Sequence, residues 1–369
     1  METPRPSDSA PAPDAVALAR QKFECPACGG EAQWNPARHA LICPYCGTES
    51  PVTLEHRDDT TVIVEHDLVT ALRSIPDSAR GWQAEKVSVQ CQSCKAISVF
   101  DPGKISERCQ FCGSTALVPY EQVKDSIRPE SLLPMAVAEP NAREIIRAWY
   151  GRQWFAPNGF ALKALTDTVQ GIYLPYWTFD ASVFAKWTAE SGQYYYVGSG
   201  KNRERRVRWT PAAGELTHFF DDDLVCASLG VHQNLLKKVE PFPTGSLIPY
   251  DAGYLSGWTV EHYQIDLVTS AQRSRDQMDA ALRKLCAQQV PGDTYRNLVV
   301  SSTYSNQTFK HILVPVWLLS YVYRAKSFQV TVNGVTGSID GERPYSWIKI
   351  TLLVLAIVIV FLLLKSLEG

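Results

Sequence analysis

The sequence has no surplus of positive charge. Its 369 residues carry 36 Lys and Arg against 38 Asp and Glu, a net charge of −2. Proteins built mainly to grip nucleic acid show a basic excess, so this balance argues against that class. A P-loop is also missing. That motif needs GxxxxGK followed by Ser or Thr, so that backbone amides cradle phosphate and a hydroxyl holds Mg2+. The nearest run is GSGK at residues 198–201, with Tyr195 in place of the first glycine and Asn202 in place of the hydroxyl. It reads as a hairpin turn, with no nucleotide site. Neither HExxH nor GxSxG occurs, and no residue stands out as catalytic. Residues 1–20 lack the charged start and apolar core of about 7–15 residues that a secretory signal needs. They are rich in Pro, Ala, Ser and Asp and read as a disordered leader.

What is present is a folded chain with unusual cysteines. Hydrophobic residues make up 45% and charged residues 20%, enough for a core spread over two or three domains. Eight of the ten cysteines form four CxxC pairs. Cys25 and Cys28 are followed by Cys43 and Cys46, and Cys91 and Cys94 by Cys109 and Cys112 at the identical spacing. The second set thus copies the first further along the chain, an internal repeat. Each CxxC makes a tight knuckle with both sulfurs facing one point, and two knuckles give the four thiolates that tetrahedral Zn2+ takes. Gly29, Gly47 and Gly113 follow the second cysteine of their knuckles. Lys95 breaks that pattern, which predicts a looser third knuckle.

Units this short lack a core of their own, and metal binding of roughly 10–16 kcal/mol would be their main support. The expectation is two structural zinc ions in ribbons at residues 21–55 and 86–118. Four thiolates close each site, which leaves no position for catalysis. A disulfide framework would need a secreted chain, and a thioredoxin-like motif does not come twice doubled. Cys226 and Cys286 read as buried thiols outside either set. The first ribbon has no basic face with stacked aromatics, so protein docking or a scaffold role is favoured over direct DNA or RNA binding.

Between the ribbons, residues 62–80 form a helical linker, with Leu68, Val69, Leu72 and Ile75 at helical spacing. Residues 119–140 hold Pro119, Pro129, Pro134 and Pro140 and read as an extended linker. The main domain, residues 141–345, is expected to be α+β with antiparallel sheet. A helix spans 141–155 with Asn141 as N-cap, and a second spans 271–289. Strands cover 172–193, 206–217, 225–228 and 311–339. A second repeat is present: Pro175-x-Trp177 followed by Ala185-Lys186, and Pro315-x-Trp317 followed by Ala325-Lys326. This predicts two related α-then-β units. His218 with Asp221, Asp222 and Asp223 offers metal-type donors, but adjacent strand residues point alternately, so a solvated turn is expected. Arg203, Arg205, Arg206 and Arg208 form a basic cluster that suits either a charged hairpin or anionic headgroups.

The far end of the chain is apolar. Residues 350–364 read ITLLVLAIVIVFLLL, flanked by Trp347, Lys349 and Lys365. The segment 348–364 would span roughly 26 Å as a helix, against a hydrocarbon core of about 30 Å. A transmembrane helix at 348–365 follows as an expectation, a tail anchor with the lipid bilayer as partner. Arg343 and Lys349 before the span, and thiolates that need a reducing compartment, place the bulk of the chain in the cytoplasm.

The tandem ribbons, WYGRQWFAPN at 149–158, GIYLPYWTFDA at 171–181 and PVWLLSYVYRAKSFQVTVNGVTGSIDGERPYSW at 315–347 resemble the bacterial membrane-anchored zinc-ribbon proteins. These are often named TFIIB-type zinc ribbon or primosomal-helicase-like proteins. The resemblance covers most of the chain from Cys25 onward. It implies an integral protein of the bacterial cytoplasmic membrane, encoded near flotillin-like (SPFH) or PspA-like proteins. That suggests a scaffold in membrane stress or membrane organisation. Residues 326–341 also resemble the hairpin of PepSY-type domains. The expected function is a non-enzymatic membrane adaptor. The alternatives are a membrane-tethered nucleic-acid-binding protein linked to replication or transcription, and, weakest, a hydrolase of unrecognised type.

Overall fold

The computed structural model describes residues 25–50, 63–73, 87–100, 106–120, 127–157, 169–198, 203–323 and 326–367, with the backbone alone for 362, 363 and 365–367. The expected leader at 1–20 lies outside the described residues.

The first ribbon holds β1 (Gln33–Asn35) and β2 (Ala40–Ile42). Then come β3 (His66–Asp67), α1 (Leu68–Arg73), β4 (Val87–Cys91), β5 (Ile97–Phe100), β6 (Leu117–Pro119) and β7 (Ser131–Leu132). Next are α2 (Glu139–Gly151), β8 (Gln170–Val197), β9 (Glu204–Cys226), α3 (Gln233–Val239), β10 (Ile248–Pro249) and β11 (Thr259–His262). The last elements are α4 (Leu267–Gln289), β12 (Thr294–Tyr323), β13 (Lys326–Asn333), β14 (Ile339–Gly341) and α5 (Trp347–Leu367). Twelve strands form one mixed sheet with the spine β10-β7-β12-β8-β11-β5-β4-β6. The β11–β8 and β7–β12 pairings are parallel and the others antiparallel, so the architecture is mixed α+β.

The two Pro-x-Trp motifs lie side by side on antiparallel β8 and β12. Leu174 pairs with Val314, its counterpart in the other motif, and Pro175 and Pro315 pair with Leu313 and Tyr173. Each motif makes the same bonds. Trp177 Nε1 donates to the Ile265 carbonyl at 3.0 Å, and Trp317 Nε1 to the Val137 carbonyl at 2.9 Å. The Pro175 carbonyl accepts from Ala227 N–H, and the Pro315 carbonyl from Gly334 N–H. Ile172 and Tyr173 take Thr259 and Val260 as parallel partners, while Ile312 and Leu313 take Ser131 and Leu132. The sheet thus has a local two-fold through the Leu174–Val314 pair. Both tryptophans are fully buried, one in each of two apolar clusters on the sheet.

Several boundaries differ from expectation. Helix α2 begins at Glu139 after Ala138, not at Asn141, because Pro140 fits the first turn, where its missing N–H is no loss. Helix α4 begins at Leu267, earlier than its periodicity suggested, because Asp266 accepts from Thr269 N–H at 2.7 Å. The expected linker at 119–140 is extended but internal. Its Ser131–Leu132 segment is a sheet strand, and Leu132, Leu133 and Met135 are fully buried. The expected strand 206–217 and the first two residues of 225–228 belong to the single strand β9, which ends at Cys226. The polar first half of β12 was not foreseen as strand.

Helix α5 runs 21 residues. Among the described residues, no helix is long and apolar enough to cross a membrane. The described side chains of α5 stop at Phe361 and Leu364, so the expected span to 365 lies partly outside them.

Candidate metal centres

All four knuckles share one backbone pattern. The first cysteine donates its N–H to the carbonyl five residues on: Cys25 to Gly30, Cys43 to Thr48, Cys91 to Ala96 and Cys109 to Ser114, at 2.6–3.0 Å. The residue four positions on donates back to the first cysteine's carbonyl. Gly29, Gly47 and Gly113 do so at 2.8–2.9 Å, and Lys95 does so at 2.9 Å. This residue must take positive φ. The glycines sit at 70°, 71° and 75°, and Lys95 at 66°. The third knuckle is therefore no looser than the rest. Lys95 accepts the left-handed conformation that glycine takes without steric cost.

The knuckles face each other in pairs. Cys25 and Cys28 sulfurs stand 3.5 Å from those of Cys46 and Cys43. In the second set, Cys91–Cys112 and Cys94–Cys109 are each 3.6 Å apart. Within each set all four sulfurs lie within 4.8 Å of one another. Zinc–sulfur bonds of about 2.3 Å put tetrahedral sulfurs about 3.8 Å apart, so both sets are positioned to bind a metal ion of that size. The sulfurs titrate unevenly. The Thr48 hydroxyl and amide bring Cys46 down to about 6 and contact with Cys94 brings Cys109 down to about 5, while contact with Cys109 and burial push Cys94 up and burial pushes Cys112 up to about 11. The Thr48 hydroxyl oxygen is 3.2 Å from Cys46 Sγ. Such bonds to sulfur fix ligand orientation. A bound metal would cross-link knuckles that have little core of their own.

The two centres join the body differently. The first docks mainly through Trp34. Trp34, at the start of its hairpin, donates Nε1–H to the Met135 carbonyl at 3.0 Å and packs on Tyr254 at 4.7 Å between ring centres. Ser256 Oγ adds a bond to the Ala32 carbonyl at 2.8 Å. The second centre is part of the sheet. Strand β4 ends on Cys91 and pairs with β5 and β6, and β5 pairs with β11. The Phe111 carbonyl, between Cys109 and Cys112, accepts from Ser320 Oγ at 2.5 Å and from Gln329 Nε2 at 3.2 Å. Sequence reasoning foresaw two alike ribbons and missed this fusion. The signal was the alternation Val87, Val89, Cys91 just before the knuckle.

One buried acid lies beside the second centre. Glu261 on β11 is 1% exposed, and a Cβ on Gly230 would stand 2.9 Å from its Oε1, with Phe111 and Ala96 adjacent. Burial pushes its carboxyl up to about 8, so it is protonated at neutral pH.

The chain has a distant homologue. It is 22% identical over 325 residues to a Bacillus subtilis protein called uncharacterized protein YdjG, covering 88% of this chain and 90% of that one. No family model and no solved structure matches it. The likeness runs through almost the whole chain rather than through the ribbons alone.

The other sequence candidates are dispersed. Asp222, at φ 51°, turns to Lys310 Nζ at 2.9 Å. Asp223 instead accepts from Ser274 Oγ on α4 at 2.5 Å, and His218 lies edge-on to Phe220. These acids do not converge on one point with His218. Cys286 is buried and Cys226 half-buried, both apart from the two sulfur sets. The GSGK run lies outside the described residues except for Gly198.

Proposed function

We propose that the chain is a non-enzymatic adaptor, held by α5 in the bacterial cytoplasmic membrane and presenting two zinc centres and the sheet to protein partners. The observation that carries this reading is the collar at the base of α5. Trp154, Tyr345 and Trp347 are exposed there, at 77%, 56% and 75%. Lys349 Nζ is tied to the Trp154 and Ala156 carbonyls at 2.8 Å each, and Ser346 N–H donates to the Phe155 carbonyl at 2.7 Å. Beyond the collar, Ile350 is half-buried and the other described Ile, Leu, Val and Phe side chains of α5 are exposed, with no described part of the chain covering them. Aromatic rings and a lysine beside an uncovered apolar helix suit the headgroup layer of a bilayer.

The zinc centres are the second support. Closed four-sulfur sites have no open coordination position, so they serve fold and docking rather than chemistry. The resemblance to membrane-anchored zinc-ribbon proteins directs the search for partners to flotillin-like or PspA-like proteins. Membranes from cells expressing the full chain should retain it in alkaline carbonate. Gentle solubilisation should recover such a partner, and Cys25→Ser or Cys91→Ser should reduce that recovery. Release by carbonate would overturn the anchor, and an empty recovery would overturn the adaptor role.

A further inference from the structure

The β8–β9 hairpin ends just past the core: Val183, Ala185, Trp187 and Ala189 still pack inward, and only Gln193–Val197 of β8 are exposed beyond them. From Gln170 to Val197, β8 covers 28 residues, about 90 Å along the strand. Helix α5 enters from β14, which pairs with Val330–Val332 of β13, and these pair with Trp317–Leu319 at the Gln170 end. The hairpin tip and α5 therefore sit at opposite ends of the sheet.

The tip is basic and aromatic on both faces. Val197 pairs with Glu204, Tyr196 with Arg205, Tyr195 with Arg206 and Tyr194 with Val207. On one face Arg203 lies over Tyr196 at 4.2 Å, Arg205 over Tyr194 at 4.4 Å and Arg296 over Trp209 at 4.2 Å. A Cβ on Gly192 would meet Trp209, Val207 and Thr294, which fixes these side chains on that face. On the other face Arg208 lies over Tyr195 at 5.6 Å, beside Arg206. Arg206 has Glu204 at 3.4 Å and Arg296 has Glu190 at 2.6 Å. Arg203, Arg205 and Arg208 have no carboxylate partner among the described residues. Guanidiniums stacked on tyrosine keep their N–H edges open for anionic oxygens.

We propose that this tip docks onto an anionic phospholipid surface. A nucleic-acid strand would follow a track along one face. Here arginine and tyrosine surround the tip, as they would in a headgroup layer that meets it from every side. The reading stands on the tip alone and does not need α5 to be an anchor. If both hold, the chain spans from its own bilayer to a second surface on the order of 90 Å away.

The test uses the full chain held in a non-ionic amphipol, mixed with vesicles of phosphatidylcholine alone or with phosphatidylglycerol added. Co-sedimentation should require phosphatidylglycerol and fall with salt. The double variant Arg203→Gln/Arg205→Gln should weaken it about 30-fold, and Tyr194→Ala/Tyr196→Ala should weaken it too, each variant keeping its metal content. Equal binding to both vesicles, or undiminished binding by the arginine variant, would overturn the proposal. So would a single-stranded oligonucleotide that binds the chain more tightly than the vesicles at equal phosphate. None of these outcomes bears on carbonate extraction, which depends on α5.

Discussion

Lys95 donates its backbone N–H to the Cys91 carbonyl at 2.9 Å, from φ 66°, in the place that glycine holds in the other three knuckles. The metal-binding turn is set by its hydrogen bonds, and the side chain at this position only sets the strain. The turn Asn333–Ser338 is built the same way. Asn333 N–H donates to the Ser338 carbonyl and Gly337 N–H to the Asn333 carbonyl. There the Asn333 side-chain oxygen accepts from Val335 and Thr336 N–H at 2.9 and 3.0 Å, as a knuckle sulfur does.

Lys95→Gly should relieve that strain. A left-handed non-glycine residue costs about 1 kcal/mol, and the Lys95 ammonium makes only an exposed 3.4 Å contact with Gln92 to lose. Thermal unfolding of the metal-loaded chain should move up by a few degrees. No gain, or a loss, would show that Lys95 sits in the turn without penalty.

The two buried tryptophans should behave as equivalents. Trp177→Ala and Trp317→Ala should each cost about 3–5 kcal/mol, as large core truncations do. Trp→Phe at either site should cost less, the loss being one indole bond to a buried carbonyl. Denaturant titration of the four variants checks this, and a large disparity between the sites would contradict the shared bonding.

Much of this was legible in the sequence. Cysteine spacing located both metal centres, because a CxxC turn is local and its sulfurs have few other uses. The Pro-x-Trp pair revealed two like segments, because each proline carbonyl and indole has a fixed task. The rest depends on distant partners. Pro129 and Pro134 suggested a linker, yet Leu132 between them fills the core through a parallel pairing with Leu313. The polar run from Thr294 to Lys310 is strand because β8 lies alongside it, not because of its own residues. Nothing in the spacing of the second ribbon told that Ser320 and Gln329 would hold its Phe111 carbonyl.

Glu261 should make stability fall as pH rises. Its folded value, about 8, lies above the ordinary 4.5. The folded chain therefore keeps a proton that the unfolded chain gives up, and stability declines from about pH 4.5 until pH passes about 8. Glu261→Gln should remove this slope and be more stable than the parent at pH 8. Urea unfolding at pH 6 and pH 8 with zinc in excess separates the effect from metal loss, and parallel slopes in parent and variant would contradict it.

Metal loss should have unequal consequences at the two centres. The first is held mainly by Trp34, while the second supplies β4 and β5 to the sheet. Cys25→Ser/Cys28→Ser should loosen residues 25–50 and leave the body folded. Cys91→Ser/Cys94→Ser should lower the unfolding midpoint of the whole chain. Hydrogen exchange reads the difference, and equal local effects would contradict the fusion of the second centre with the sheet.

Native mass spectrometry of the intact chain tests the central claim, that eight sulfurs form two closed metal sites. The account predicts a mass corresponding to two zinc ions per chain, falling to one in Cys25→Ser/Cys28→Ser. A metal-free chain, or one lighter by the hydrogens lost to disulfides, would contradict it.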